Sequence, residues 1–174
     1  SMIPTGMTVK IKGKKSLSKV EGGVTNGMEV LNTGDGKSYM INRNDKTYRV
    51  EEEVDEEEYD DLPETTVTKT SETKKILGYT CTKYVVKTDD SEDNEVQYIW
   101  ATNEISGLNM SDYFDKRENG RAMVDFKKID GVPLRMEMGA QGVKMIMEAT
   151  EIKKGGVSNA DFEIPAGFNK VEGY

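Results

Sequence analysis

Polar and apolar residues alternate with period two along most of this chain, and 3.6-residue periodicity hardly appears. The backbone therefore reads as a succession of strands whose side chains point in turn to two faces. The alternation predicts strands over residues 7–12, 16–20, 27–33, 37–42, 46–51, 65–77 with a break, 80–88, 95–101, 121–129, 132–138 and 142–153. Between them stand hairpin-type turn signals: Gly34-Asp35-Gly36, Asn44-Asp45, Asp130-Gly131 and Gly139-Ala140-Gln141-Gly142. Strands joined by turns this short pair antiparallel with their neighbours.

Following the faces locates the expected core. Tyr84 and Val86 alternate with Lys83 and Lys87, and Val96, Tyr98 and Trp100 form a matching set on the next strand, so the two are expected to share one aromatic face. Leu134, Met136 and Met138 oppose Arg135 and Glu137, while Val143, Met145, Met147 and Ala149 oppose Lys144 and Glu148. Four of the ten Met residues thus fall on two adjacent strands. Methionine is flexible and polarisable, so such a surface suits varied apolar ligands; the same side chains also serve as ordinary core filling.

Two stretches break the alternation. Residues 51–61 hold nine of the 32 acidic residues and no Lys or Arg, and this block up to Pro63 reads as a solvated linker or a short frayed helix. Residues 105–117 predict one or two helical turns with Asn109 or Ser111 as cap and Leu108, Tyr113 and Phe114 on the buried side, a plug or lid over the sheet. No internal repeat appears, and 174 residues allow one sizeable core, so one domain over 1–174 is expected.

Composition now narrows the chemistry. The net charge of −8 is local, because outside the acidic block 23 acids face 24 bases. No basic stripe is left for nucleic acid. The absence of histidine removes Ser-His and Cys-His nucleophilic sites, His-ligated zinc and haem, and histidine acid–base work. A single Cys removes iron–sulfur clusters and Cys-rich zinc sites, and no phosphate-binding glycine loop is present. The acidic loop 89–94 lacks the Gly and Glu of an EF-hand, with Asn94 and Trp100 at those positions, and reads as a polar hairpin tip. Cys81 reads as a small buried hydrophobe rather than a reactive thiol. No cofactor, metal or catalytic residue is assigned. No run of 18 apolar residues exists to span a bilayer as a helix. Ser1-Met2 reads as a tag remnant, with a signal peptide expected to have preceded the native sequence.

One stretch carries a family resemblance. Residues 73–84, Thr-Lys-Lys-Ile-Leu-Gly-Tyr-Thr-Cys-Thr-Lys-Tyr, resemble the T-K-x-I-x-G-Y-x-C-x-K-Y segment of an exported bacterial domain family of unknown function, number 4412. Trp100, residues 145–151 (MIMEATE) and residues 162–168 (FEIPAGF) agree with it in order and spacing. That family is similar to the outer-membrane lipoprotein carriers LolA and LolB. The resemblance implies a mainly β (α+β) fold: a strongly curved antiparallel sheet forming an unclosed half-barrel, with one or two short helices covering its concave face. It also implies a periplasmic or cell-surface location, and it brings no catalytic residues. The resemblance does not place the carriers' lipoprotein-gripping residues on this sequence, so lipoprotein transport is not implied.

Together these readings favour a non-enzymatic envelope module that binds an acyl chain or a hydrophobic peptide segment. Its lining is expected from Tyr84, Tyr98, Trp100, Leu134, Met136, Met138, Met145 and Met147, with Leu108, Tyr113 and Phe114 as lid residues. The alternative is a structural or protein-interaction domain with a filled core, docking an envelope partner on its sheet edges or acidic block. A carboxylate-based hydrolase ranks third.

Overall fold

The computed structural model describes residues 3–51, 65–88, 96–108, 110, 124–140 and 143–172. Two compact units divide the chain, Ser1–Val54 with Gly155–Tyr174, and Asp55–Lys154. Each unit carries its own sheet, so two sheets stand where the family resemblance implies one, and neither closes into a barrel.

The first unit is a meander of β1 (Gly6–Lys12), β2 (Lys15–Glu21), β3 (Met28–Asn32), β4 (Ser38–Asn42) and β5 (Thr47–Glu51), each antiparallel to the one before. Its core face holds Leu17, Leu31, Ile41 and Phe162, packed with Tyr39, Tyr48, Val157, Ile164 and Phe168. Tyr39 and Tyr48 meet edge-on, with ring centroids 6.3 Å apart. Glu29 shares this face, because it lies opposite Ile41 on β4. Its buried carboxylate accepts a hydrogen bond from Arg43 Nε at 2.6 Å through Oε1, while Oε2 has no partner.

The C-terminal segment completes this unit. Ser158 and Asp161 cap a 3-10 turn over Asn159–Phe162 reciprocally, and Asp161 also binds Lys10 at 2.6 Å. The chain ends this stretch in a short strand that the alternation does not reveal. It falls at Asn169–Lys170, too brief to show a period, and pairs parallel to β5, the one parallel ladder among the described strands.

In the second unit the numbering follows chain order: β6 (Thr65–Ile76), β7 (Tyr79–Thr88), β8 (Val96–Thr102), β9 (Val132–Ala140) and β10 (Val143–Glu148), with Asn169–Lys170 as β11. Their order in the sheet is β10-β9-β8-β7-β6, antiparallel throughout. Leu77 and Gly78 join β6 to β7 with φ of 52° and 84°, the pair of left-handed residues whose twist matches a two-residue hairpin. The ladder slips twice. Between Lys69 and Thr73 the extra residues are held by Thr70, whose hydroxyl donates to Lys83 O and accepts from Glu72 N. Between Trp100 and Ala101 the slip falls opposite Pro133, which has no N–H for a regular ladder. Such bulges bend a sheet and increase its twist.

Two expected strands are corrected. Where a strand was expected over 121–129, the described part forms a 3-10 turn at Phe126–Lys128, because Asp125 caps it by accepting from Lys127 N at 3.1 Å. The apolar residues that suggested a strand, Val124, Phe126 and Ile129, are buried in the core cluster of this unit. The final strand ends at Glu148 rather than 153, and Ala149 and Ile152 pack against the same core from the irregular stretch that follows. Among the described residues there is no α-helix to cover either sheet. The acidic residues 52–61 lie outside the described residues.

Gly131, at φ 97°, turns the chain into β9 directly against the backbone of Thr102 and Asn103, where an added Cβ would overlap the Thr102 carbonyl. Gly78 has the same sign of φ but open space around it. We expect Gly78→Ala to cost about 1 kcal/mol and Gly131→Ala about 3 kcal/mol or more, measured by urea unfolding, because the second adds a backbone clash to the conformational strain.

Candidate functional site

Antiparallel pairing places directly opposed residues on the same face, so the register sorts every candidate side chain. On one face of the five-stranded sheet Tyr84 opposes Ile99, Ile99 opposes Met136, and Met136 opposes Met147. Met138 opposes Met145 on the next rung, and Leu134 belongs to the same face. Tyr84, Val86, Ile99 and Leu134 are buried, Met136 and Met138 are half-buried, and Met145 and Met147 are 44% and 36% exposed. Burial thus falls across the sheet from β7 to the β10 edge, and among the described residues the most exposed apolar side chains of this face are Met145 and Met147.

The inner end is closed by the chain itself. Asp130 N donates to Tyr84 Oη at 3.2 Å, and Lys69 reaches across to Asp130 at 2.8 Å with its ammonium 5.9 Å from the Tyr84 ring centroid. The segment carrying Phe126 and Ile129 therefore sits on the Tyr84 side of the sheet, in one cluster with Ile105 and Met110. Of the expected lid residues, Leu108 packs against this cluster, while Tyr113 and Phe114 lie outside the described residues. The acidic loop 89–94 lies outside them as well.

Tyr98 and Trp100 do not join this face, which corrects the single aromatic face expected from alternation. Tyr98 opposes Val85 and Glu137, and Trp100 opposes Lys83 and Arg135. The reason is a run, Val96-Gln97-Tyr98-Ile99-Trp100-Ala101, in which apolar residues occupy both parities; Ile99 takes the position facing Tyr84 and sends its neighbours to the other side.

That other face is charged and aromatic, with Tyr98 half-buried and Trp100 buried within the core cluster of this unit. Lys83 lies 4.7 Å from the Tyr98 centroid and 5.7 Å from that of Trp100, with Glu72 as its ion-pair partner at 3.1 Å. Lys74 lies 4.9 Å above Trp100, and the indole N–H is buried without a partner. Cations over aromatic faces are attracted by the ring quadrupole. Next to them a row of alternating charge crosses β9 and β10: Lys144 to Glu137 at 2.8 Å, Glu137 to Arg135 at 2.8 Å, and Arg135 to Glu148 at 2.6 Å. Lys144 and Arg135 hold the Glu137 carboxyl down at about 2, against the desolvation that opposes them. Glu148 and Glu137 in turn raise Arg135 further. The sequence marks these residues only as the polar half of an alternation, and the pattern Arg-x-Glu facing Lys-x-x-x-Glu is the signal from which the row could have been found.

Nothing in this arrangement forms a nucleophile and base pair. Cys81 is fully buried, and burial together with Glu104 pushes its thiol up, away from the thiolate that reacts. Among the described residues no three His, Cys, Asp or Glu gather as a metal site. No helix there is long and apolar enough to cross a membrane.

Because the Glu137 carboxyl is held below its ordinary 4.5, its ion pairs stabilise the fold fully above that pH and are lost as pH falls toward about 2. Acid titration of the unfolding midpoint should show this loss between those limits, and Glu137→Gln should flatten that part of the profile.

The family model for the Domain of unknown function (DUF4412) matches residues 6–168. No curated protein matches the chain, and no solved structure does. With the match running from the first strand to the last turn before β11, the chain belongs to the DUF4412 family.

Proposed function

We propose that this protein is a non-enzymatic binding module of the bacterial envelope that holds an apolar ligand, an acyl chain or a hydrophobic peptide segment, on the methionine end of its five-stranded sheet. The observation that carries the reading is the pair of rungs Met136–Met147 and Met138–Met145, stacked on one face with the outer members exposed. Unbranched thioether side chains adapt to ligands of no fixed shape, and this ribbon continues directly from the buried core face of Leu134, Ile99 and Tyr84. Likeness to the LolA and LolB carriers and residence in the periplasm or at the cell surface belong to the same proposal. The two bulges, of the kind that bend and twist a sheet, are compatible with the first.

The inner face favours a narrower site than the eight residues expected from sequence. Tyr84 and Leu134 are already covered, and Tyr98 and Trp100 face away, so the ligand contacts come from Met136, Met138, Met145 and Met147. The packing around Tyr84 is also what the second reading, a protein-interaction domain with a filled core, would have. Chemistry on the chain itself is disfavoured by the lack of histidine and by the burial of Cys81.

Native mass spectrometry of the purified protein, followed by lipid extraction, separates the two. The expected result is bound acyl species, or uptake of added fatty acid, lost in Met145→Glu with thermal unfolding unchanged, since Met145 is half in solvent. A clean mass with no uptake would remove ligand binding and leave the interaction domain.

A further inference from the structure

The five-stranded sheet has two outer strands, and they are built differently. The β6 edge carries Thr, Lys and Glu along its length and is interrupted by the slip between Lys69 and Thr73. Charged side chains and bulges are how proteins keep an edge from pairing. The β10 edge has no slip and no Pro, and it leaves Met145, Ile146 and Met147 exposed together, Ile146 at 45%. One edge is blunted and the other is not.

Hydrogen bonding fixes what the β10 edge offers. Ala149 N donates to Leu134 O at 2.7 Å, so these two residues form a bonded pair in the ladder. Bonded and non-bonded pairs alternate in an antiparallel ladder, which makes Met147–Met136 and Met145–Met138 bonded pairs too. Lys144, Ile146 and Glu148 consequently turn their backbone N–H and C=O groups away from β9, toward the open side.

We infer that β10 pairs antiparallel with β10 of a second copy of this chain, about a two-fold axis through Ile146. In that register Ile146 meets Ile146 of the second copy, and each Lys144 meets Glu148 of the other chain. All of these residues present outward backbone groups, so each opposed pair exchanges reciprocal hydrogen bonds. The other two-fold registers through this strand set Lys144 against itself, set Glu148 against itself, or leave both charges unmatched. The rows Lys144–Glu137–Arg135–Glu148 of the two chains would join end to end with alternating sign. On the opposite face Met145 meets Met147 of the second copy, joining the methionine rungs of both chains into one strip. A symmetric, self-complementary edge of this kind is what a closed dimer needs. The inference stands on the edge that is free among the described residues and on its charges, not on ligand binding to the methionines.

Sedimentation velocity on the whole chain, together with site-directed disulfide formation, tests it. The wild type should pass with rising concentration from 19.5 kDa to twice that mass. Ile146→Cys should oxidise to a covalent dimer, since a bonded antiparallel pair sets Cα atoms about 5.5 Å apart, within disulfide range. Lys144→Cys alone should not link, whereas a mixture of Lys144→Cys and Glu148→Cys chains should. Ile146→Lys, which puts like charges on the axis, should stay monomeric and still show the wild-type β-sheet circular dichroism. A mass fixed at that of one chain at the highest soluble concentration would overturn the proposal. So would a dimer that survives Ile146→Lys, or self-linking by Lys144→Cys, either of which would place the contact elsewhere.

Discussion

The position of Ile99 between Tyr84 on β7 and Met136 on β9 is the constraint on which the second unit depends. A strand side chain has two directions only, so fixing one residue fixes the parity of all its ladder neighbours. With Ile99 in the core, Tyr98 and Trp100 must face Lys83, Arg135 and Glu137. Leu134 and the methionines of β9 and β10 must face the other way. The apolar ribbon and the charged row are then two sides of one decision, and neither could be moved without the other.

Much of the architecture was legible because the alternation is clean where a strand is wet on one face. Strands β1 to β8 fall within one or two residues of their expected limits, and the break in 65–77 appears as the Lys69–Thr73 slip. Besides overrunning the last strand, which ends at Glu148, the alternation fails in three places, each for a physical reason. In β8 both parities are apolar, so the pattern carries no vote, and only the partner strands decide. At 124–129 Val124 and Phe126 stand two apart as in a strand, while Phe126 and Ile129 stand three apart across a capped 3-10 turn, and a stretch this short is too brief for the two periods to separate. At β11 two residues are recruited by an existing edge, which no local pattern records.

The candidate site was legible in composition and only partly in geometry. Methionines on alternate positions of two neighbouring strands were visible as a set, and the register does stack them. Their openness was not, since it depends on which side chains the remainder of the chain lays over Tyr84. The charged row was hidden differently. Arg135, Glu137, Lys144 and Glu148 look like ordinary solvent-facing residues until pairing brings them to within 2.6 to 2.8 Å of one another. Glu29 shows the same lesson in the first unit, where a carboxylate on a strand reads as surface yet lies buried beside Ile41 with Arg43 as its counter-ion.

Cys81 has a consequence of another sort. It is the one thiol in the chain, it lies in the core beneath the β6–β7 hairpin with no exposed surface, and its surroundings oppose the thiolate. A thiol reagent can reach it only when the core around it opens, so the labelling rate of the unmodified protein reports the open population when reclosing is faster than labelling and the opening rate itself when labelling is faster. The molecule carries its own clock for the stability of the sheet, placed by nature where a spectroscopist would otherwise have had to engineer a probe.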